Sequence, residues 1–356
     1  MQEGKYTTSP EWADIQPIPL DDGSEDQDGD GHGTLPLAVI AYKPEYVEAT
    51  AYLRAVMAVN EMSERVLQLT EDVIMMNPAH YTVWLYRAKI LFALEKDLMQ
   101  ELAWLNKVSL KYLKNYQIWH HRQQLLSSKQ HFPSLPAGEQ DFLMQMFASD
   151  SKNYHVWSYR QWLVRQFNLW DEPRELADVD ALIESDVRNN SAWNHRYLLK
   201  FAPREGAEAA MAVAAGTAAT GEKGRLDVVD EDVVDAELDY AQKRILLAPE
   251  NRSPWLYARG VLRAAGRSVG EWKGFASRFI TEEVGGDEKP VVHVKSSLAL
   301  EWLADVYGEE AGELAEDTRQ EKVGEAVKML NLLKERYDPI RKNYWDYKIG
   351  QLSVAA

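Results

Sequence analysis

Cysteine is missing altogether from the 356 residues. No disulfide framework, thiolate zinc site or cysteine nucleophile can come from this chain, and a reducing compartment is compatible with it. Long apolar runs are missing too: no window of about 18 uninterrupted apolar residues occurs, the length a membrane-spanning helix needs. The start of the chain also lacks the basic-then-apolar plan of a secretory leader, so the cytoplasm is the default compartment. Positive charge is in deficit, with 40 Lys and Arg against 56 Asp and Glu and a formal charge of −16. That balance argues against a nucleic acid held through its phosphates and against adhesion to an acidic membrane surface.

Tryptophan is abundant, with 12 residues, and it is not scattered. A Trp followed three places later by Arg recurs as Trp84 and Arg87, Trp119 and Arg122, Trp157 and Arg160, and Trp193 and Arg196. The spacings between successive Trp residues are 35, 38 and 36, the length of two helices and two turns. A looser fifth copy sets Arg259 four places after Trp255, and 62 residues separate Trp193 from Trp255. The surplus falls in the Gly/Ala-rich stretch 204–231, which has few large apolar side chains to bury and reads as a loop inserted within one hairpin.

Periodicity places helices over Pro44 to Val56 and Glu61 to Met76, and then a series of pairs. The motif helices run Tyr81 to Leu94, Tyr116 to Leu126, Tyr154 to Phe167, Ser191 to Phe201 and Ser253 to Ala265. They alternate with Leu98 to Leu110, Glu139 to Phe147, Pro173 to Asp186, Asp232 to Leu247 and roughly Trp272 to Thr281. Asn or Pro just before each motif helix suits a helix start, because an Asn side chain accepts from the free backbone N–H groups and Pro has none to leave unpaired. Trp with Leu or Val should pack between hairpins, with Arg near a helix surface facing the last carbonyls or a carboxylate of the neighbouring hairpin. Two more helices, Val294 to Tyr307 and Asp317 to Glu335, precede a last one through Tyr347. No period-two alternation competes, so the expected fold is all-α: about six or seven stacked helical hairpins forming one domain over 41–348. Residues 1–40, with the acidic run Asp21 to Asp30, read as a disordered tail, and 349–356 as a C-terminal tail.

Three copies carry a resemblance: Lys114-Asn115-Tyr116-Gln117-Ile118-Trp119, Lys152-Asn153-Tyr154-His155-Val156-Trp157 and Arg188-Asn189-Asn190-Ser191-Ala192-Trp193. With the closing Ile340-Arg341-Lys342-Asn343-Tyr344-Trp345, the chain from about Tyr42 to Tyr347 resembles the α subunit shared by protein farnesyltransferase and protein geranylgeranyltransferase type I. The resemblance implies a crescent, a right-handed superhelix of hairpins, wrapped around a separate β subunit. It also implies transfer of a farnesyl or geranylgeranyl group from its diphosphate to the cysteine of a C-terminal Cys-a-a-X sequence on protein substrates such as small GTPases. Zinc is then expected in the β subunit, with no metal ligand in this chain, and magnesium with the isoprenoid diphosphate. One α subunit serves both enzymes, so the choice of isoprenoid belongs to the partner.

Residue by residue, the resemblance implies that Lys152 reaches across the interface to the diphosphate, where a fixed ammonium stabilises the charge that develops on the leaving oxygen. It places Tyr154 beside the peptide and the diphosphate, and His155 where a polar side chain hydrogen-bonds the peptide carboxylate. Tyr116 and Asn189 take the equivalent rim positions of adjacent repeats. From the residues alone, Lys152 also reads as a solvated lysine before a helix start, with Lys114 in the same place one repeat earlier. Tyr116 and Tyr154 are repeat-consensus residues as well as site candidates. The Trp and Arg residues read as structural, since stacked hairpins need an anchor every period. His120, His121, His155 and His195 belong to equivalent turns of different hairpins without the spacing of a metal site. Two other readings are the α subunit of Rab geranylgeranyltransferase and a tetratricopeptide-like scaffold that binds peptides without chemistry.

Overall fold

A computed structural model describes residues 4–20, 40–202, 230–283 and 291–354. The chain divides into two compact units, Met1–Phe167 and Asn168–Ala356. The acidic run and almost all of the Gly/Ala-rich insertion lie outside the described residues.

In the first unit, α1 (Pro44–Ala58) precedes three helical pairs: α2 (Glu64–Met76) with α3 (Tyr81–Ala93), α4 (Leu98–Lys111) with α5 (Tyr116–Leu126), and α6 (Glu139–Ser149) with α7 (Tyr154–Phe167). The motif helices α3, α5 and α7 also pack on one another in that order. Their starts follow from sequence: Asn115 accepts from the N–H groups of Gln117 and Ile118, and Asn153 from those of His155 and Val156. Each cap satisfies donors that the first helical turn leaves unpaired. Trp84, Trp119 and Trp157 are buried at the junctions between pairs, at 1, 4 and 4% exposure, as an anchor in each repeat requires.

Residues 4–20 correct the expectation of a disordered tail. Tyr6 and Trp12 are buried, with ring centroids 5.5 and 5.6 Å from Tyr52 on α1. Glu48 accepts from the Tyr6 and Thr7 N–H groups at 3.0 and 2.8 Å, and Arg65 of α2 pairs with Asp14 at 2.7 Å. The segment has no helical period, so nothing in its pattern showed that two aromatic rings would order it.

In the second unit, α8 (Pro173–Ser185) pairs with α9 (Asn190–Phe201) and α10 (Glu231–Leu247) with α11 (Arg252–Ala265), and α9 packs on α11. Asn189 and Asn251 cap α9 and α11 as their counterparts do in the first unit. The expected helix from Trp272 to Thr281 is instead a 3-10 turn (Val269–Trp272), a five-residue α12 (Lys273–Ser277) and a strand. That strand, β1 (Ile280–Glu283), pairs antiparallel with β2 (Val291–Val294), Ile280 opposite Val294. Four residues per strand are too few for alternation to stand out in sequence, and Gly270 and Gly274 weaken a helix here. Rings supply the order: Trp272, Phe275 and Phe279 gather around Trp255, whose centroid is 5.5 Å from that of Trp302.

The longest pair, α13 (Ser297–Glu313) and α14 (Glu316–Leu332), leads through a π turn (Leu333–Tyr337) into α15 (Lys342–Val354). Helix α15 therefore continues to Val354, beyond the expected start of a tail at 349. Trp345 is fully buried, and its indole donates to the Asp338 carbonyl at 3.1 Å.

Candidate functional site

The Arg of the repeat lies inside the protein rather than near a helix surface: Arg87, Arg122, Arg160 and Arg196 are exposed by 4, 1, 0 and 5%. As expected, three of them meet a carboxylate of the neighbouring hairpin. Arg87 of α3 forms a two-pronged pair with Glu101 of α4, both bonds at 2.7 Å. Arg122 of α5 grips Glu139 of α6, and Arg196 of α9 grips Glu237 of α10. Three residues after each Glu an aromatic ring faces the guanidinium: Trp104 at 4.2 Å, Phe142 at 4.3 Å and Tyr240 at 3.7 Å. Planar guanidinium suits both contacts at once.

Each of these carboxylates has a further partner two residues after the Trp of its own hairpin. His121 Nε2 donates to Glu101 at 3.0 Å, the Tyr159 hydroxyl to Glu139 at 2.6 Å, and the Tyr257 hydroxyl to Glu237 at 2.7 Å. His195 meets Glu175 in the same way at 3.2 Å. Burial works to raise the pKa of Glu101, but the bonds from His121 and Arg87 hold its carboxyl down at about 2. Burial dominates for His121 and lowers its pKa despite Glu101, while burial and then Glu139 push Tyr159 far up. The four histidines thus do not share one place: His121 and His195 are buried partners of glutamates, His120 is exposed, and His155 is half-buried before its Trp.

These buried groups fix how the starts of α3, α5 and α7 line up, and those starts carry the candidate residues. Tyr81, Tyr116 and Tyr154 open the three helices and are exposed by 63, 59 and 76%. The ring of His155 lies 6.5 Å from that of Tyr116 and 5.6 Å from that of Tyr154, so these three form one aromatic rim. Lys152 joins it, exposed, in a turn held from several sides. Asn153 N–H donates to the Asp150 carbonyl at 3.1 Å, and Lys152 N–H to the Asp150 carboxylate at 3.3 Å. Trp157 donates its indole N–H to the Ser151 carbonyl at 2.9 Å, and Asn153 Nδ2 reaches the Leu113 carbonyl at 2.8 Å.

Lys114 reaches the same rim from the head of α5: it is 82% exposed and its Nζ lies 3.4 Å from Asp150. The rim therefore carries two ammonium groups at equivalent repeat positions. Asn189, in the second unit, is completely buried and caps α9. Among the described residues no group of three or more His, Cys, Asp or Glu side chains is placed to hold a metal ion. No described helix is long and apolar enough to cross a membrane.

The protein prenyltransferase alpha subunit repeat matches residues 63–94, 98–129, 136–167 and 173–199. The protein farnesyltransferase/geranylgeranyltransferase type-1 subunit alpha of Candida albicans is 34% identical over 357 residues, covering 99% of this chain and 99% of that one. The chain belongs to this family of shared α subunits. The Arabidopsis thaliana member is 30% identical, with 97% of this chain and 96% of that one covered. Among solved structures, Candida albicans protein geranylgeranyltransferase-I complexed with GGPP matches with a TM-score of 0.74 and 34% identity, over 95% of this chain and 97% of that one. The geranylgeranyl transferase type-2 subunit alpha of Bos taurus matches only 58% of this chain and 35% of its own length, so the Rab enzyme is the less supported alternative.

The matched repeats span α2 to α9 and so contain the Trp and Arg positions from Trp84 to Arg196 together with the rim. Sequence reasoning missed the glutamates, because they follow their Arg by 14, 17 and 41 residues rather than at one spacing. Their signal was an aromatic residue three places on, at Trp104, Phe142 and Tyr240. The residue two places after the Trp, alternating Tyr86, His121, Tyr159, His195 and Tyr257, carried another.

Proposed function

We propose that this chain is the α subunit of a heterodimeric Cys-a-a-X protein prenyltransferase, active only with its β subunit. The observation that carries this reading is the end-to-end correspondence with the type-1 α subunit of Candida albicans, 99% of each chain. The similar solved structure is a geranylgeranyltransferase-I holding GGPP, which supports an isoprenoid diphosphate as the ligand. The rim of Lys114, Tyr116, Lys152, Tyr154 and His155 is the part of this chain suited to it, since it combines ammonium groups with rings. As the peptide thiolate bonds to the isoprenoid, the carbon–oxygen bond to diphosphate breaks and its electron pair stays on the leaving oxygen. An ammonium held at the rim stabilises that charge more in the transition state than before it. Lys152 is the lysine the family pattern selects, and Lys114 offers the same group one repeat earlier. Tyr154 and Tyr116 bound the isoprenoid–peptide channel, and His155 binds the peptide carboxylate. Asn189 sets the start of α9, the rim position that the family pattern gives it in the adjacent repeat.

Zinc belongs to the β subunit in this reading, as the family resemblance implies, and the absence of cysteine from this chain agrees with that. Magnesium accompanies the diphosphate, and the cytoplasm is the compartment. The test is transfer of an isoprenoid to a Cys-a-a-X peptide by the chain alone and co-expressed with a β subunit, with zinc counted in each sample. Transfer and zinc are expected in the complex only. A complex that never forms, or peptide binding by the chain alone without transfer, would overturn the reading in favour of a scaffold.

A further inference from the structure

Asp150 ends α6, with its N–H bonded to the Met146 carbonyl, and its two carboxylate oxygens face different repeats. Oδ1 accepts from the backbone N–H of Lys152 at 3.3 Å, which fixes the carboxylate in the turn before α7. Oδ2 lies 3.4 Å from Nζ of Lys114, at the head of α5. The two partners differ in freedom: the Asp150 side chain is 26% exposed and tied to backbone, whereas the Lys114 side chain is 82% exposed on a flexible stem. A mobile ammonium is therefore parked against a fixed acid. The turn recurs in the second unit, where Asp186 Oδ1 accepts from the N–H of Arg188 at 2.9 Å ahead of Asn189, so Asp-x-(Lys or Arg)-Asn is a built feature of the repeat.

We propose that Asp150 is a positioning residue for the transfer reaction: it holds the Lys114 ammonium at the rim as an internal counter-ion, and an arriving diphosphate must take that ammonium from it. This rests on the reading of the rim as the diphosphate face. Asp150 weakens binding of the diphosphate before reaction by competing for the same cation. A free anion with few charges does not displace the carboxylate, whereas a diphosphate does, so Asp150 also raises the selectivity of the rim for multiply charged ligands.

The discriminating variant is Asp150→Asn, because an amide oxygen still accepts the Lys152 N–H and keeps the turn while the charge is gone. In the complex with the β subunit, KM for the isoprenoid diphosphate is expected to fall about two- to five-fold, the scale of one exposed ion pair, with a smaller change in kcat. Inhibition by inorganic pyrophosphate should strengthen by a similar factor, and added salt should shrink both effects. In a Lys114→Ala background the substitution should change neither quantity. The inference is overturned if Asp150→Asn leaves KM unchanged or raises it, or if its effect persists without Lys114. A wild-type complex with no transfer activity would instead refute the functional reading, so the two failures are distinguishable.

Discussion

Arg122 is a guanidinium with almost no access to water, 1% exposed, and its charge is matched by Glu139, itself 3% exposed. Such a pair adds little net stability over an apolar replacement of the same volume, but removing one partner leaves a bare buried charge. Glu139→Ala is therefore expected to destabilise the chain by about 3–5 kcal/mol, measured by urea unfolding. The Arg of the motif was legible in sequence because it follows the Trp by three residues in four of the five copies. Its depth was not, since an Arg near the start of a helix looks the same whether it faces solvent or a glutamate beyond a loop of variable length.

His121 gives the same network a pH dependence. Burial lowers its pKa below the ordinary 6.5, so the folded chain refuses a proton that the unfolded chain accepts. Stability is thus present above about pH 6.5 and is lost as pH falls below it. Glu101, held near 2 against an ordinary 4.5, adds a second loss of the same sign below about pH 4.5. Tyr159 and Tyr257 occupy the place of His121 in two other repeats and donate a hydroxyl to the glutamate there, so this site accepts a hydroxyl in place of an imidazole. His121→Tyr is expected to reduce the loss of stability below about pH 6.5 in melting experiments, leaving the smaller loss of the same sign that burial of His80 adds and the Glu101 loss at lower pH. A profile unchanged by the substitution would show that another group titrates in that window.

At the scale of an element, the decisive unit is the start of a motif helix, where a cap, an indole and a backbone turn converge. Asn153 caps α7 with its carbonyl oxygen and reaches the Leu113 carbonyl with its amide. Asn153→Ala should cost about 1–2 kcal/mol in unfolding experiments, and in the complex it should lower kcat/KM, because the turn carrying Lys152 loses its anchor. Asn153→Ser, which caps without reaching Leu113, should recover part of the stability. Helix existence and order were legible here, since Asn before a Trp-centred apolar stripe marks a start wherever it recurs. The segment from Trp272 to Val294 was not, because aromatic rings rather than periodicity order it. At the rim the repeat pattern made Tyr116, Tyr154 and His155 legible as residues at helix starts, where their rings stand together, and Asn189 as a helix start, where it caps α9.

At the scale of the whole molecule, the first unit is closed at one end by residues 4–20. Trp12, 5% exposed, sits 5.3 Å from Tyr6 and 5.1 Å from the Arg65 guanidinium. Trp12→Ala should therefore cost about 3–5 kcal/mol and lower the melting temperature of the chain, although residue 12 lies far from the rim in sequence. The repeat architecture was read from a single spacing, and it survives the 62-residue interval between Trp193 and Trp255 because the added residues fall between α9 and α10. What no spacing could reveal is which of two equivalent lysines meets a ligand, since the repeat that makes the fold readable also makes its positions alike.

The central claim is that this chain contributes rim charge to isoprenoid transfer, and the most direct measurement is the single-turnover rate of transfer in the complex with the β subunit. It should be made for the wild type, Lys114→Ala, Lys152→Ala and the double variant, with zinc content and complex mass confirmed for each. A loss of at least about tenfold is expected in one single variant, a tenfold change being about 1.4 kcal/mol of transition-state stabilisation, and a further or equal loss in the double. An intact, zinc-loaded double variant that transfers at the wild-type rate would contradict that claim.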